Sequence, residues 1–600
     1  MDDQNKNLIL ASVLSFVVIL VWFLLFPPEE PQQLTPEQAA AEGNLLPPAA
    51  DAPVAQAATT AEPAPQPAQT AARIDIDTPR LAGSISTMGG RIDTLSLKDY
   101  RQTLAEDSDT VQVLKPQSAD YAYFALYGWA PGGDLGFEDV PGANTIWTVE
   151  SGASLTTSTP VILRWDNDKG LTFRRTISVD ENFMLSVTQS VRNNSAAGAR
   201  LAPYGRIERH GEPDDLKGFF IIHEGAIRQT GEELTELNYK KLRKLDNDAR
   251  WGANADVEEV AGNGWIGFTD HYWMTTLIPQ NDQPFTSVMK YNSAQDIYLT
   301  EARMPTVDLA AGASAEVTTR LFAGAKEWET IKSYEAEDGI YNFVNSIDWG
   351  WFSFLTKPIF RLLHMLNGMI GNMGWAIIAL TLIIKAVLFP LAYKSYVSMA
   401  KMKELQPEME KIKERTGDDR QKLQQEMMQL YKKEKVNPAS GCLPILLQIP
   451  IFFSLYKVIF VTIELRHAEW IGWIKDLSSP DPSSILNLFG LLPFATPGPE
   501  SIFAIVSLGV LPILLGISMY LQQKLNPAPT DPTQKMIFAW MPWVFMFMLG
   551  SFASGLVVYW IANNTITFIQ QYTIMRSQGY KPDVLGNITS GLKRSSKEDK

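Results

Sequence analysis

The 600-residue sequence holds one cysteine, Cys442, and five histidines. A single cysteine excludes an intramolecular disulfide and any zinc site built on cysteines. His210, His223, His271, His364 and His467 are scattered, and no HExxH, GxSxG, GxGxxG or P-loop pattern stands in the context its chemistry requires. Glu208, His210 and Glu212 lie close together, and a solvated loop is the expected reading for them. No catalytic residue, metal ligand or cofactor is assigned on these grounds. Positive charge is also in deficit: 52 Lys and Arg face 66 Asp and Glu, for a net charge of −14. That balance argues against a chain that coats nucleic acid. The deficit is uneven. Most excess acid lies between residues 27 and 348, whereas basic residues gather at 394–435 and in the last 25 residues.

Long hydrophobic runs are present, and they organise the chain. Leu8 to Phe26 form a run of 19 residues without a charge. At about 1.5 Å per residue it reaches roughly 28 Å, close to the hydrocarbon thickness of a bilayer. It ends in Phe26-Pro27-Pro28-Glu29-Glu30, with bulky residues where a signal-peptidase site needs small ones. The expectation is an uncleaved anchor over 1–26. Residues 27–72 are rich in Pro, Ala and Gln and read as a flexible tether.

From residue 73 the period changes to two. Ile74-Asp75-Ile76-Asp77 alternates, and Ile92 to Leu97 does so in part. Leu171, Phe173, Ile177 and Val179 lead through Asp180-Glu181-Asn182 to Phe183, Leu185, Val187 and Val191, a hairpin pattern. The expectation for 73–346 is a large antiparallel sandwich with a helical end at 326–346. Residues 347–371 carry Trp349, Trp351, Phe352, Phe354, Phe360, Leu362 and Leu363 with Lys357, Arg361 and His364 among them. Two readings fit: a helix lying in the membrane interface, or an amphipathic helix packed on the exported domain.

Within 372–575, five spans are expected near 372–393, 441–463, 502–523, 536–553 and 555–575, with 485–495 as an interfacial or re-entrant segment. The loop at 394–435 holds eleven Lys and Arg, the loop at 464–501 only Arg466 and Lys475, and the tail at 576–600 six. Basic loops face the cytoplasm. Six spans then put both termini inside and 27–348 outside. The fold class expected is a membrane α-helical protein of six transmembrane helices plus a large exported all-β domain.

Lys385 stands inside the apolar stretch Ile377 to Pro390, where a lysine costs about 3 kcal/mol on insertion scales. Snorkelling to the headgroups past Pro390 is one account. Thr381, a turn earlier, shares its face. In the last span Asn563, Thr567 and Gln570 recur at i, i+4 and i+7, with Asn564 and Gln571 beside them. Ser518 and Gln522 add a second polar stripe, and Gln448 a third. Such groups face protein or water rather than lipid. A wet groove and a set of interhelical hydrogen bonds both explain the amides, but only the groove suits an unpaired lysine. In the cytoplasmic loop, Met402, Leu405, Met409 and Ile412 face one way before Thr416-Gly417-Asp418-Asp419, and Leu423, Met427 and Leu430 after it. The expectation is a helical hairpin with a methionine-softened apolar side, which suits varied partners or simple pairing of its two arms.

Several pieces then become recognisable together: Gly371-Asn372-Met373-Gly374-Trp375, Thr381 with Lys385, Phe389-Pro390-Leu391, Ser398-Met399-Ala400-Lys401-Met402, Leu405-Gln406-Pro407, Lys435-Val436-Asn437-Pro438, Gly441-Cys442-Leu443-Pro444, Gln448-Ile449-Pro450-Ile451-Phe452, and Ser554-Gly555-Leu556-Val557-Val558-Tyr559-Trp560. Together they resemble the YidC/Oxa/Alb family of membrane protein insertases over nearly the whole chain. The resemblance implies a five-helix core enclosing a groove open to cytoplasm and lipid, in the inner membrane of a Gram-negative bacterium. It implies groove roles for Lys385, Thr381, Gln448, Ser518, Gln522, Tyr559, Trp560, Asn563 and Thr567, and an apolar slide including Ile451, Phe452, Phe545 and Met546. The family's groove cation is usually arginine, and its last span often carries a second hydroxyl-bearing aromatic; Lys385 and Trp560 depart from both. The β-region would be the family's supersandwich, a docking module. Implied partners are nascent inner-membrane proteins, lipid, the Sec translocon with its accessory subunits, and the ribosome and signal-recognition-particle pathway. A transporter and a tethered carbohydrate-active enzyme are the competing classes. The inverted repeats that would favour a transporter are not found, and sequence cannot locate the carboxylate pair that would favour the enzyme.

Overall fold

The computed structural model describes residues 71–218, 222–417, 419–434, 436, 443–494, 506–526, 532–580 and 582. The expected anchor, nearly all of the linker and most of the basic tail lie outside the described residues, as do Lys435 and residues 437–442.

Strands from Arg73 to Ala325 form two sheets among the described residues, one of twelve strands and one of nine. The period-two pattern is the cause. In strand Arg73–Asp77, Ile74 and Ile76 are buried and the intervening Asp75 is exposed. Strands Leu171–Val179 and Met184–Asn193 pair antiparallel, with Leu185 opposite Val179 and Val191 opposite Phe173. Their turn is held by Asp180, whose carboxylate accepts from the N–H groups of Asn182 and Met184. Tyr127, Phe173, Phe183, Phe268 and Phe322 are fully enclosed in the core. So is Arg175, whose guanidinium donates to the carbonyls of Gly89, Gly90 and Tyr127. It also lies over the Trp147 ring at 4.5 Å.

The cluster of Glu208, His210 and Glu212 corrects the loop expectation. Glu208 and His210 belong to strand Ala199–His210. Glu208 is buried and pairs with Arg206 at 2.5 Å. The two residues are i, i+2 neighbours on one face of a strand, so the pair is structural. Glu212, beyond the strand, pairs with Arg243 at 2.8 Å.

The helical end expected at 326–346 is helix α1, Trp328–Ala336, followed by a 3₁₀ turn at Phe343–Ser346. Helix α2, Ser353–Ile370, follows. One face buries Ile359, Phe360, Leu363 and Leu366, with Phe360 edge-on to Trp328 at 5.2 Å. Away from that packing, Phe354 is 71% exposed and Trp351, just before the helix, 94% exposed. The segment therefore has both a packed and an open apolar side.

Helices α3, Met373–Val387, and α4, Phe389–Glu404, follow with a 69° bend between them. Pro390 sits in the first turn of α4, where its missing N–H costs nothing. Helices α5, Gln406–Thr416, and α6, Arg420–Lys433, form the hairpin. It is held by an Arg415–Glu426 ion pair and a Tyr431 to Met409 contact of 3.9 Å. Met402, Leu405, Met409, Leu423 and Met427 are half-buried. Helices α7, Leu443–Val461, α8, Val510–Leu525, α9, Pro532–Met548, and α10, Ser554–Ser577, complete the region.

Among the described residues no single helix is long and apolar enough to cross a membrane, though the bent pair α3–α4 is when taken together. Six separate crossing helices are therefore not resolved as such. Apolar helices shorter than a crossing stand at Gln448–Val461 and Met536–Ser551, and α10 carries a polar stripe. The segment expected to be interfacial or re-entrant contains a 3₁₀ element, Ile485–Gly490, with Leu488 and Phe489 at positive φ.

Candidate functional site

The site is built on α3, and the Gly371-Asn372-Met373-Gly374-Trp375 motif explains how that helix is seated. Gly371 ends α2 in the left-handed region, at φ 73°. Asn372 caps α3 by accepting from the Trp375 N–H, and its amide donates to the Trp470 carbonyl at 3.1 Å. A Cβ on Gly374 would stand 2.2 Å from the Trp470 ring, so only glycine permits this approach.

About three turns on, Lys385 faces α7 and α10. Its ammonium donates to the Thr567 hydroxyl at 2.9 Å and to the Gln448 side-chain carbonyl at 3.4 Å. The Gln448 amide donates in turn to the Tyr559 hydroxyl at 2.6 Å. Lys385, Thr567, Gln448 and Tyr559 thus form one polar network across three helices. Among the described residues no carboxylate lies within ion-pair distance of Lys385.

The other expected groove residues divide. Thr567 is buried and donates to the Asn563 carbonyl at 2.6 Å. Thr381 is buried, but its hydroxyl donates to the Ile377 carbonyl at 2.7 Å, within its own helix. Ser518 accepts from the Asn564 amide at 3.1 Å, tying α8 to α10. Among the described residues the side-chain carbonyl of buried Asn563 is unpartnered, and the Trp560 indole N–H is likewise without a partner. Trp560 lies 5.0 Å from the Phe452 ring. Gln522 is half-buried and is not joined to the network.

The expected slide residues point inward. Ile451 and Met546 are buried, and Phe452 and Phe545 half-buried. The open apolar surface is offset by one residue or two: Ile449 and Phe453 on α7, and Trp540, Val544 and Phe547 on α9. One residue turns a helix face by about 100°, and an all-apolar sequence gives no sign of which face is out.

Sequence reasoning missed two groups. Tyr396 on α4 is buried beside Thr567. Lys457 on α7 is buried and pairs with Asp348, just before α2, at 2.5 Å. A lysine inside an apolar run was the available signal for Lys457, the same one that picked out Lys385.

Residues 73–362 match the family model described as the YidC periplasmic domain, and residues 365–581 that of the 60Kd inner membrane protein. A relative from Dinoroseobacter shibae named membrane protein insertase YidC is 65% identical over 100% of both chains. One of the same name from Ruegeria pomeroyi is 62% identical, again over 100% of both. The chain belongs to the YidC/Oxa family of membrane protein insertases. Among solved structures it is similar to an active YidC insertase crystal structure, at 16% identity and a TM-score of 0.35, over 84% of this chain and 93% of that one. As a YidC-type insertase it serves nascent inner-membrane proteins. The activity is insertion, not bond-making chemistry. The helical region is membrane-associated, and the two sheets form the periplasmic domain.

Proposed function

We propose that insertion runs through a hydrated, positively charged groove between α3, α7, α8 and α10, as assisted partitioning without covalent chemistry. The observation that carries this reading is the Lys385 ammonium, half-buried and, among the described residues, hydrogen-bonded only to the neutral side chains of Thr567 and Gln448. A cation placed so lowers the cost of bringing an acidic group into low dielectric. Lysine rather than arginine makes it a point charge, which favours transient over bidentate binding. The unpartnered polar atoms of Asn563, Trp560 and Gln570 are natural sites for water. A nascent segment enters with its polar tail toward Lys385. Its apolar part then leaves for lipid along Ile449, Phe453, Trp540, Val544 and Phe547, and apolar burial drives the exit.

The finer architecture belongs to the same proposal: six spans counting 1–26, both termini cytoplasmic, in a Gram-negative inner membrane. Its support is the charge asymmetry between the loops at 394–435 and 464–501. The hairpin and the basic tail receive substrates from the ribosome and signal-recognition-particle pathway. The periplasmic domain is a docking module, and the chain works alone or beside the Sec translocon.

Photo-crosslinking tests the groove. A crosslinker at position 567 should capture a stalled nascent membrane protein, whereas one at position 332 on α1 should not. Equal capture at both positions would defeat the reading.

A further inference from the structure

A cavity of about 730 Å³ lies where the periplasmic domain meets the helices; it is lined by Ile449 and Phe453 of the exit path proposed above but not by Lys385, Gln448, Tyr559 or Thr567. Its walls are the edge strand Glu233–Asn238, the connection at 345–352 and the face of α7 that carries Ile449, Phe453 and Lys457. Those three residues are at i, i+4 and i+8, one face of a helix. The wall is apolar at Ile449 and Phe453, which are 44% and 40% exposed, and becomes charged at Lys457. Trp349, Trp351 and Phe352 line the cavity beside them. Tryptophan clustered at an apolar-to-polar boundary is the composition of a membrane interface.

Most of the polar lining is already committed. Asp348 pairs with Lys457 and also accepts from the His223 and Gly350 N–H groups. Lys357 donates to the Asn345 side chain at 3.0 Å. Two opposite charges are left over. Neither the Glu236 carboxylate nor the Lys241 ammonium has a hydrogen-bond or ion-pair partner among the described residues. They sit in one cavity without reaching each other.

We propose that this cavity binds one phospholipid of the periplasmic leaflet with a zwitterionic, amine-bearing headgroup. Its ammonium meets Glu236, its phosphate meets Lys241, and an acyl chain descends along Phe453 and Ile449. The volume suits a headgroup with the start of its chains, being within the roughly 300–1,000 Å³ of small-molecule sites. The two free charges match a zwitterion in sign and number, and a purely anionic headgroup would leave Glu236 unanswered. Burial, with Asp348 adding to it, pushes the Glu236 carboxyl up to about 7, against the opposing pull of Lys457, Lys326 and Lys241. An incoming ammonium would reverse that shift. The inference rests on the orientation proposed above, with the periplasmic domain over the outer leaflet, and not on the Lys385 network.

The test is native mass spectrometry of the full chain with equimolar phosphatidylethanolamine and phosphatidylglycerol. One retained lipid is expected, with a preference for phosphatidylethanolamine of about fivefold, the size of one part-exposed ion pair. Glu236→Gln should remove the preference while leaving phosphatidylglycerol retention unchanged, and Lys241→Glu should lower retention of both. Phe453→Asp, on the acyl path, should lower both as well. Equal retention of the two lipids by the intact chain, or an undiminished preference in Glu236→Gln, would overturn the proposal. A thermal melt confirms that each variant is folded.

Discussion

The Lys385 ammonium lies 2.9 Å from the Thr567 hydroxyl, on a helix 182 residues further along the chain. Thr567 donates its own proton to the Asn563 carbonyl. The lysine is thereby fixed in place without being neutralised. An ion pair would have cancelled its charge; a hydroxyl and an amide leave it uncompensated.

The Gln448–Tyr559 bond should behave as a coupled pair. Tyr559→Phe removes the acceptor of a 2.6 Å hydrogen bond, and Gln448→Leu removes its donor. Each is expected to lower unfolding stability in micelles by about 1 kcal/mol. The double variant should lose less than the sum of the two. Strict additivity would mean that the network is not formed.

Arg175 is the most exacting residue of the periplasmic core. Arg175→Leu leaves the carbonyls of Gly89, Gly90 and Tyr127 without their donor. A loss of about 3 kcal/mol is expected, read as a lower urea midpoint for the near-UV signal of the full chain.

Stability should carry a pH signature from Glu236. Its carboxyl is raised from 4.5 to about 7 in the folded chain. Between those values the folded state holds a proton that the unfolded state has released, so this residue's contribution to stability falls as pH rises and is constant above about 7. Glu236→Gln should therefore melt higher than the parent at pH 8 and equal to it at pH 4. A difference independent of pH would contradict the assignment.

Lys457→Ala should loosen the junction between the domain and the helices. It removes the ion-pair partner of the half-buried Asp348 carboxylate and leaves it the His223 and Gly350 N–H groups, a change that costs about 2 kcal/mol. Faster hydrogen exchange at 345–352, with exchange in strand Leu171–Val179 unchanged, is the expected result.

Legibility from sequence followed the strength of the local pattern. The hairpin at 171–193 was readable because side chains alternate faces strictly along a strand, so apolar parity fixes the buried face. Lys385, Gln448 and Thr567 were readable because a polar group in an apolar run needs a reason. Which residues of α7 face outward was not, since Ile449 to Phe453 are apolar all round and only tertiary packing turns Ile451 inward. Glu208 stands in a strand and not in the loop expected for clustered charge, with Arg206 two residues away as its partner within the sheet. Pro390 marked the break after α3, but the 69° bend is set by packing that the sequence does not display.

The most direct test is insertion of a short acidic-tailed membrane protein into liposomes containing only this chain, with Lys385 intact or changed to Ala or Glu. Insertion without nucleotide is expected from the intact chain. It should fall in Lys385→Ala and fall further in Lys385→Glu, with a neutral-tailed substrate much less affected. Equal loss for acidic and neutral tails, or full activity in Lys385→Glu, would contradict an electrostatic role for the groove.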